Sequence, residues 1–268
     1  MEWFVWQRSV PPERASANEI VAAPEFQERL LTLSFPGRKQ VRYEVYCLTR
    51  REAENFKKRY GGKVSRPPKI SKTAGFARRF PPSLILASHH DLLPKKMGEY
   101  RPLIIPSGMA FGTGEHATTS ACLRLLLSLK LPPGTHVLDA GTGTGILAIA
   151  AELLGYRAFG IDHDPDSIRV ARENAFLNHC RKVRFRRIPL EGIKSEKTYG
   201  LILANIYSSI LVACTPRLVR LLQPGGYAIF SGIMAGQEDE VILSACARGL
   251  TLRRIVKNGK WRSLLLQL

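Results

Sequence analysis

The chain has 268 residues, a mass of 29.9 kDa and a net charge of +18. Hydrophobic residues at 45% and charged residues at 23% exclude a disordered chain. No apolar run approaches the ~18 residues of a membrane span, and the excess of Lys and Arg suggests an acidic or polyanionic partner.

In chain order, residues 3–6 read as a strand and 15–23 as a poorly patterned helix. Residues 30–35 and 41–48 alternate as strands about a Pro36-Gly37 turn. Residues 51–60 form a helical pattern stopped by Gly61-Gly62, and 63–65 a short strand. This β-α-β-β-α-β order is the ferredoxin-like pattern and defines an N-terminal domain over residues 1–66. Residues 67–82, basic and punctuated by Gly and Pro, read as a linker. Residues 50–80 hold 11 basic and 2 acidic side chains, a docking surface for RNA or an acidic protein or simply a solvated face. A second basic cluster is Arg181, Lys182, Arg184, Arg186 and Arg187.

Residues 84–87 are a short strand. Beyond about residue 103 the rhythm becomes strand–helix–strand: strands at 137–139, 158–161, 183–187, 201–204, 227–231, 252–256 and 263–267, helices at 146–154, 166–178, 209–222 and 238–248. Strands spaced by helices imply an α/β, parallel, doubly wound sheet over residues 83–268. Cys47, Cys122, Cys180, Cys214 and Cys246 are scattered, with no zinc-ligand or redox spacing. They suit a reducing compartment. Without a secretory leader pattern after Met1, a cytoplasmic, non-membrane protein is expected.

Asp139-Ala-Gly141-Thr-Gly143-Thr-Gly145 sits at a strand-to-helix turn. Its glycines let the backbone turn tightly and approach a ligand closely. Its spacing is not that of a pyrophosphate-binding dinucleotide loop, and the leading Asp suits a cationic or amino-acid-bearing ligand. Asp162, 21 residues after Gly141 at the end of the second strand, is placed to accept both hydroxyls of a ribose. A ribose acid without a pyrophosphate loop points to S-adenosylmethionine, with S-adenosylhomocysteine as product and no metal.

Three further segments narrow the reading: Met109-Ala-Phe-Gly-Thr-Gly-Glu-His-Ala-Thr-Thr119, Gly160-Ile-Asp-His-Asp-Pro165 and Leu203-Ala-Asn-Ile-Tyr207. Together they resemble the PrmA family, the methyltransferase of the eleventh protein of the large ribosomal subunit. The likeness is dense over residues 103–268 and only architectural before them. It implies a class I methyltransferase fold, Rossmann-like, behind a small ferredoxin-like substrate domain. It also implies that Thr119, Gly141, Gly143 and Asp162 contact the cofactor, that Phe111, Gly112 and Thr113 form the loop over it, and that Asn205 lies beside the methyl group and the incoming amine. The implied substrate is lysine ε-amines, or an N-terminal amine, of that ribosomal protein, free or on the large subunit, with rRNA contact through the basic N-terminal region.

Asn205 is the catalytic candidate, its carbonyl orienting a neutral amine. His116 has two readings, a general base or a residue that orders its loop. Tyr207 is expected to line the pocket, and Ser208-Ser209 to cap the following helix. His89-His90-Asp91 lacks a third metal ligand. Rival readings are a methyltransferase of RNA or of another protein, and a ribosome-binding factor that has lost turnover.

Overall fold

A computed structural model describes residues 4–11, 31–34, 41–47, 49–66, 75–106, 112, 114–193 and 198–268. The chain divides into two compact units, Met1–Ile70 and Ser71–Leu268.

The first unit contains strands β1 (Phe4–Val10), β2 (Leu31–Ser34), β3 (Val41–Cys47) and β4 (Lys63–Ser65), with helix α1 (Arg50–Tyr60). The sheet order is β2-β3-β1-β4 with every pair antiparallel. Alternation along two strands sends Trp6, Val10, Tyr43, Val45 and Cys47 into one core with Ala53 and Tyr60 of α1. Thr49 caps α1, its Oγ1 accepting the Glu52 N–H at 3.2 Å, and Gly61 ends it at a φ of 69°. The helix expected over 15–23 lies outside the described residues.

The second unit opens with a three-stranded sheet, β5 (Ala77–Phe80), β6 (Leu84–Ala87) and β7 (Arg101–Ile104), in that order. Residues 77–80, assigned by sequence to the linker, are thus a strand. Its exposed Arg78 and Arg79 mask the alternation, and only Phe80 is buried. The end of β7 is held by an Asn178 amide that acts as a strand partner. Its Oδ1 accepts the Ile104 N–H at 2.6 Å and its Nδ2 donates to the Ile104 carbonyl at 2.7 Å.

Helix α2 (Ala117–Ser128) follows, an element the sequence reading missed. Thr118 to Leu123, Leu125 and Leu126 are all buried, so there is no polar face to give a period. The main sheet has seven strands: β8 (His136–Ala140), β9 (Arg157–Asp162), β10 (Arg184–Arg187), β11 (Tyr199–Asn205), β12 (Leu222–Met234), β13 (Thr251–Asn258) and β14 (Trp261–Gln267). Their order is β10-β9-β8-β11-β12-β14-β13. Helices α3 (Ile146–Leu153) and α4 (Pro165–Leu177) join α2 on one face, and α5 (Ser208–Leu221) and α6 (Glu238–Cys246) cover the other.

Period-2 alternation serves both faces. Leu201 and Leu203 pack toward α2 and α3, while Ile202 and Ala204 pack toward α5. The expectation of a parallel sheet needs one correction. β14 runs antiparallel to both β12 and β13. Asn258 pairs with Trp261 across the two-residue turn Gly259-Lys260, whose leading Gly at a φ of 53° is a hairpin signal that the strand–helix rhythm obscured. Strand order reverses between β8 and β11, and the crevice beyond their carboxyl ends is where such sheets bind ligands.

Candidate active site

Asp139 near the end of β8, Asp162 ending β9 and Asn205 ending β11 all fall at the carboxyl edge of the sheet, flanking the turn 141–145. The turn is braced from within. Asp139 is buried, and its Oδ2 accepts both the Thr142 hydroxyl at 2.6 Å and the Ala148 N–H of α3 at 3.1 Å. Burial pushes its carboxyl up to about 7, against the pull of those two bonds. The sequence reading directed this acid at a ligand; the structure spends it on the loop, which makes Asp139 a positioning residue. A hydroxyl three residues after a strand-end acid was the signal available.

Four of the turn's five backbone donors are likewise engaged. Gly141 and Thr142 N–H both donate to the Ile161 carbonyl at 2.9 Å, and Gly145 N–H to Thr142 at 2.8 Å. Gly143 N–H donates to Asp162 Oδ2 at 3.0 Å. A pyrophosphate cradle needs those donors free and an open helix N-terminus. Here a carboxylate already occupies the start of α3, so the turn suits a ligand without phosphates. Gly141 has φ +75°, and a Cβ there would fall 2.5 Å from Ile206 Cγ2.

Asp162 is 9% exposed, and its oxygens accept Gly143 N–H and Asp164 N–H (3.1 Å to Oδ1). A carboxylate offers about four acceptor sites; Oδ2 keeps one of its two, while Oδ1 also faces the exposed His163 ring at 3.3 Å, which a ribose hydroxyl would have to displace. Thr119 is fully buried in α2, and its Oγ1 lies 3.3 Å from Asn205 Nδ2. Asn205 Oδ1 is buried with no hydrogen-bond partner among the described residues. Whichever way the amide is set, one polar end meets Thr119 and the other is orphaned, as a group awaiting a ligand would be.

Two glycines before α2 are held, Gly112 by the glycine turn and Gly114 by α2 itself. Thr144 Oγ1 donates to the Gly112 carbonyl at 2.6 Å, and Ser120 Oγ to the Gly114 carbonyl at 3.0 Å. Asn174 of α4 backs the turn by donating to the Thr144 carbonyl at 2.8 Å. Sequence reasoning singled out none of Thr144, Ser120 or Asn174. Phe111 and Thr113 lie outside the described residues.

His116 is the N-cap of α2. Its Nδ1 is 2.7 Å from Thr118 Oγ1 and accepts the Thr118 N–H at 3.4 Å, and its ring meets Trp261 edge-on at 4.9 Å. That geometry is the loop-ordering one. Tyr207, expected in the pocket, is 73% exposed and is itself the N-cap of α5. Ser208 is already helical, and its hydroxyl donates to Gln237 Oε1 at 2.8 Å instead of capping. Among the described residues no group of three or more His, Cys, Asp or Glu is placed to hold a metal ion, and no helix is long and apolar enough to cross a membrane.

A seven-stranded sheet with one reversed strand, and a glycine turn flanked by Asp162 and Asn205 at its carboxyl edge, are the features of a class I S-adenosylmethionine-dependent methyltransferase. The comparisons with known proteins narrow the class. The family described as Ribosomal protein L11 methyltransferase (PrmA) matches residues 81–268, and the chain belongs to that family. The Ribosomal protein L11 methyltransferase of Thermus thermophilus is 39% identical over 181 residues, which cover 68% of this chain and 69% of that protein. Its counterpart in Geobacter metallireducens is 36% identical over 220 residues, 78% of this chain and 72% of that one. The crystal structure of ribosomal protein L11 methylase from Lactobacillus delbrueckii subsp. bulgaricus superposes with a TM-score of 0.65 at 28% identity, covering 71% of this chain and 97% of that chain.

Proposed function

We propose that the chain is a cytoplasmic protein N-methyltransferase. It carries methyl groups from S-adenosylmethionine to lysine ε-amines, and to an N-terminal α-amine by the same chemistry, of the ribosomal protein named in its relatives' descriptions. In this reading residues 1–66 form a ferredoxin-like substrate-recognition domain, the basic linker ends before strand β5, and the catalytic domain runs from that strand to residue 268. Its basic residues between 50 and 80 touch rRNA near the target. The observation that supports the proposal most is the orphaned Asn205 Oδ1 at the same sheet edge as a glycine turn whose backbone donors are largely engaged, an arrangement that suits a nucleoside without phosphates.

Asp162 would hold the ribose, the backbone at Gly141 and Gly143 would lie against the methionine part, and Thr119 would close the site with Gly112 and its neighbours. The bound cofactor supplies a methyl carbon already activated by a positive sulfur. The protein must then deliver a neutral amine in line. A lysine in water has a pKa near 10.4 and is almost wholly protonated at neutral pH, and an apolar surround lowers that value. Asn205 Oδ1 accepts an N–H of the neutral amine and aims its lone pair, while Thr119 fixes the plane of the amide. Alignment of this kind is the main contribution a protein makes to such a displacement.

The test is transfer of radiolabelled methyl groups into undermethylated ribosomes, followed by separation of proteins and RNA. Label in one small ribosomal protein, lost to protease, supports the proposal. Label lost to nuclease overturns it in favour of an RNA substrate. Cofactor binding without transfer to any fraction marks a factor without turnover.

A further inference from the structure

Strand β10 is one edge of the main sheet, paired with β9 as its one strand neighbour among the described residues. Val183 and Phe185 are buried toward α3 and α4, so Arg184 and Arg186 alternate with them and share the opposite, open face. Arg181 and Lys182 precede them and Arg187 follows, all five exposed. No acidic residue occurs between Glu173 and Glu191. Among the described residues none of the five pairs with a carboxylate, because the nearby acids are engaged elsewhere. Glu152 accepts the backbone N–H groups of Lys182 and Val183, Glu173 holds Arg169 at 2.9 Å, and Asp162 takes the N–H groups of Gly143 and Asp164.

At ~3.3 Å per residue the strand itself carries its three arginines over about 10 Å, and Arg181 and Lys182, at the bend before it, lengthen the row. A sixth cation adds to it, since Arg172 of α4 donates Nη2 to the Phe185 carbonyl at 3.1 Å. The line ends at the carboxyl edge of the sheet, where Arg187 stands in register with Asp162 and donates Nε to the His163 carbonyl at 3.0 Å.

Such a strip has three generic partners. A protein interface centres on buried aromatic or aliphatic anchors, and the exposed large hydrophobics (Tyr207, Ile210, Met234 and Leu243) lie on or beside α5, β12 and α6, none of them on β10. A membrane surface needs the same apolar anchors. A phosphate backbone needs neither. It is bound by a row of guanidinium groups, and arginine outnumbers lysine here by four to one.

We infer that the β10 edge is a docking strip for the phosphate backbone of structured RNA, contacted without base readout. The choice of RNA over DNA rests on the ribosomal reading given above; the strip itself does not.

The test measures binding of a fluorescein-labelled RNA hairpin of roughly 20 base pairs, the span of two helical turns, to the full chain over a salt series. It needs neither cofactor nor methyl transfer, so its result is independent of which amine is methylated. The variant Arg181→Ser/Lys182→Ser/Arg184→Ser/Arg186→Ser leaves Arg187 and the site intact. Each phosphate contact contributes about 0.9 to the slope of log K against log salt. The variant should therefore flatten that slope by about 3–4 and weaken binding at least about tenfold. The charge-matched control at the other sheet edge, Arg253→Ser/Arg254→Ser/Lys257→Ser/Lys260→Ser, should change the slope far less.

An unchanged slope in the first variant, equal losses in both, or tighter binding of polyglutamate than of RNA overturns the inference. Tighter binding to a DNA hairpin moves the strip to the other nucleic acid and overturns the ribosomal choice alone. Should the fourfold variant fold poorly, Arg184→Gln/Arg186→Gln is expected to give half the slope change.

Discussion

Thr119 and Asn205 lie 86 positions apart in the chain, yet the Thr119 hydroxyl stands 3.3 Å from the Asn205 amide nitrogen, one buried in α2 and the other closing β11. The contact leaves the other end of the amide with no choice of direction. Thr119→Val keeps the shape of the side chain and removes the tether. About tenfold is expected to be lost from kcat, the worth of one hydrogen bond of ~1.4 kcal/mol, with a smaller change in cofactor affinity. Asn205→Ala should lose more than that. Single-turnover methyl transfer with saturating cofactor separates the two effects, and full turnover in Asn205→Ala would remove that residue from the chemistry.

His116 caps α2 through Nδ1, which leaves the same nitrogen committed to Thr118. His116→Gln should lower stability by about 1 kcal/mol, the usual worth of an N-cap, and leave the pH–rate profile in place. A profile that lost its lower limb would instead make His116 a proton acceptor.

Asp139 predicts a pH dependence of stability. Its folded carboxyl is raised to about 7 by burial, whereas an unfolded Asp titrates near 3.9. The folded chain therefore keeps a proton that the unfolded chain has released between about pH 4 and pH 7. The stability from this group is complete below about pH 4 and is lost as pH rises through 7. Asp139→Asn is neutral throughout. Relative to the parent chain, its melting temperature should rise progressively as pH goes from 4 to 8. Glu173, also raised to about 7 by burial, stays in the variant, so the slope should flatten without vanishing.

Gly141→Ala meets two obstacles, a left-handed φ of +75° and Ile206 Cγ2 at 2.5 Å. The turn must shift, and a cost of about 1–3 kcal/mol is expected. Calorimetric titration with S-adenosylhomocysteine should show affinity weakened at least about tenfold. Gly155→Ala, also at positive φ but with open space around its Cβ, should pay the backbone strain alone and bind the cofactor normally.

The strand–helix rhythm after residue 130 was legible because the central strands carry short apolar runs and each helix is punctuated by Gly, Asn or Pro. Ser and Thr hydroxyls carried less information, since Ser208 looks like a cap and Thr144 looks like filler, and only the fold shows which backbone atom each one meets. Helix α2 escaped for the opposite reason to β5. The first is buried nearly all round and the second nearly all exposed, and neither leaves a period in the sequence. Asp162 and Asn205 were legible as strand-end residues within specific motifs. Asp139 was visible but misassigned, because charge alone does not reveal which way a side chain is turned.

The Asn178 amide that completes the end of β7 has an effect beyond the strand. Ile104 is pinned by it, and Ile105 N–H donates to the Ala87 carbonyl at 2.9 Å. On the far side Gly112 is fastened to Thr144. The chain is thus fixed at Ile105 and again at Gly112 by the scaffold itself, so the entropy of bringing these two points together falls on folding and none of it on binding. A substitution at Asn178 should loosen the first of these anchors, move part of that cost onto binding and surface as slower capture of the ligand.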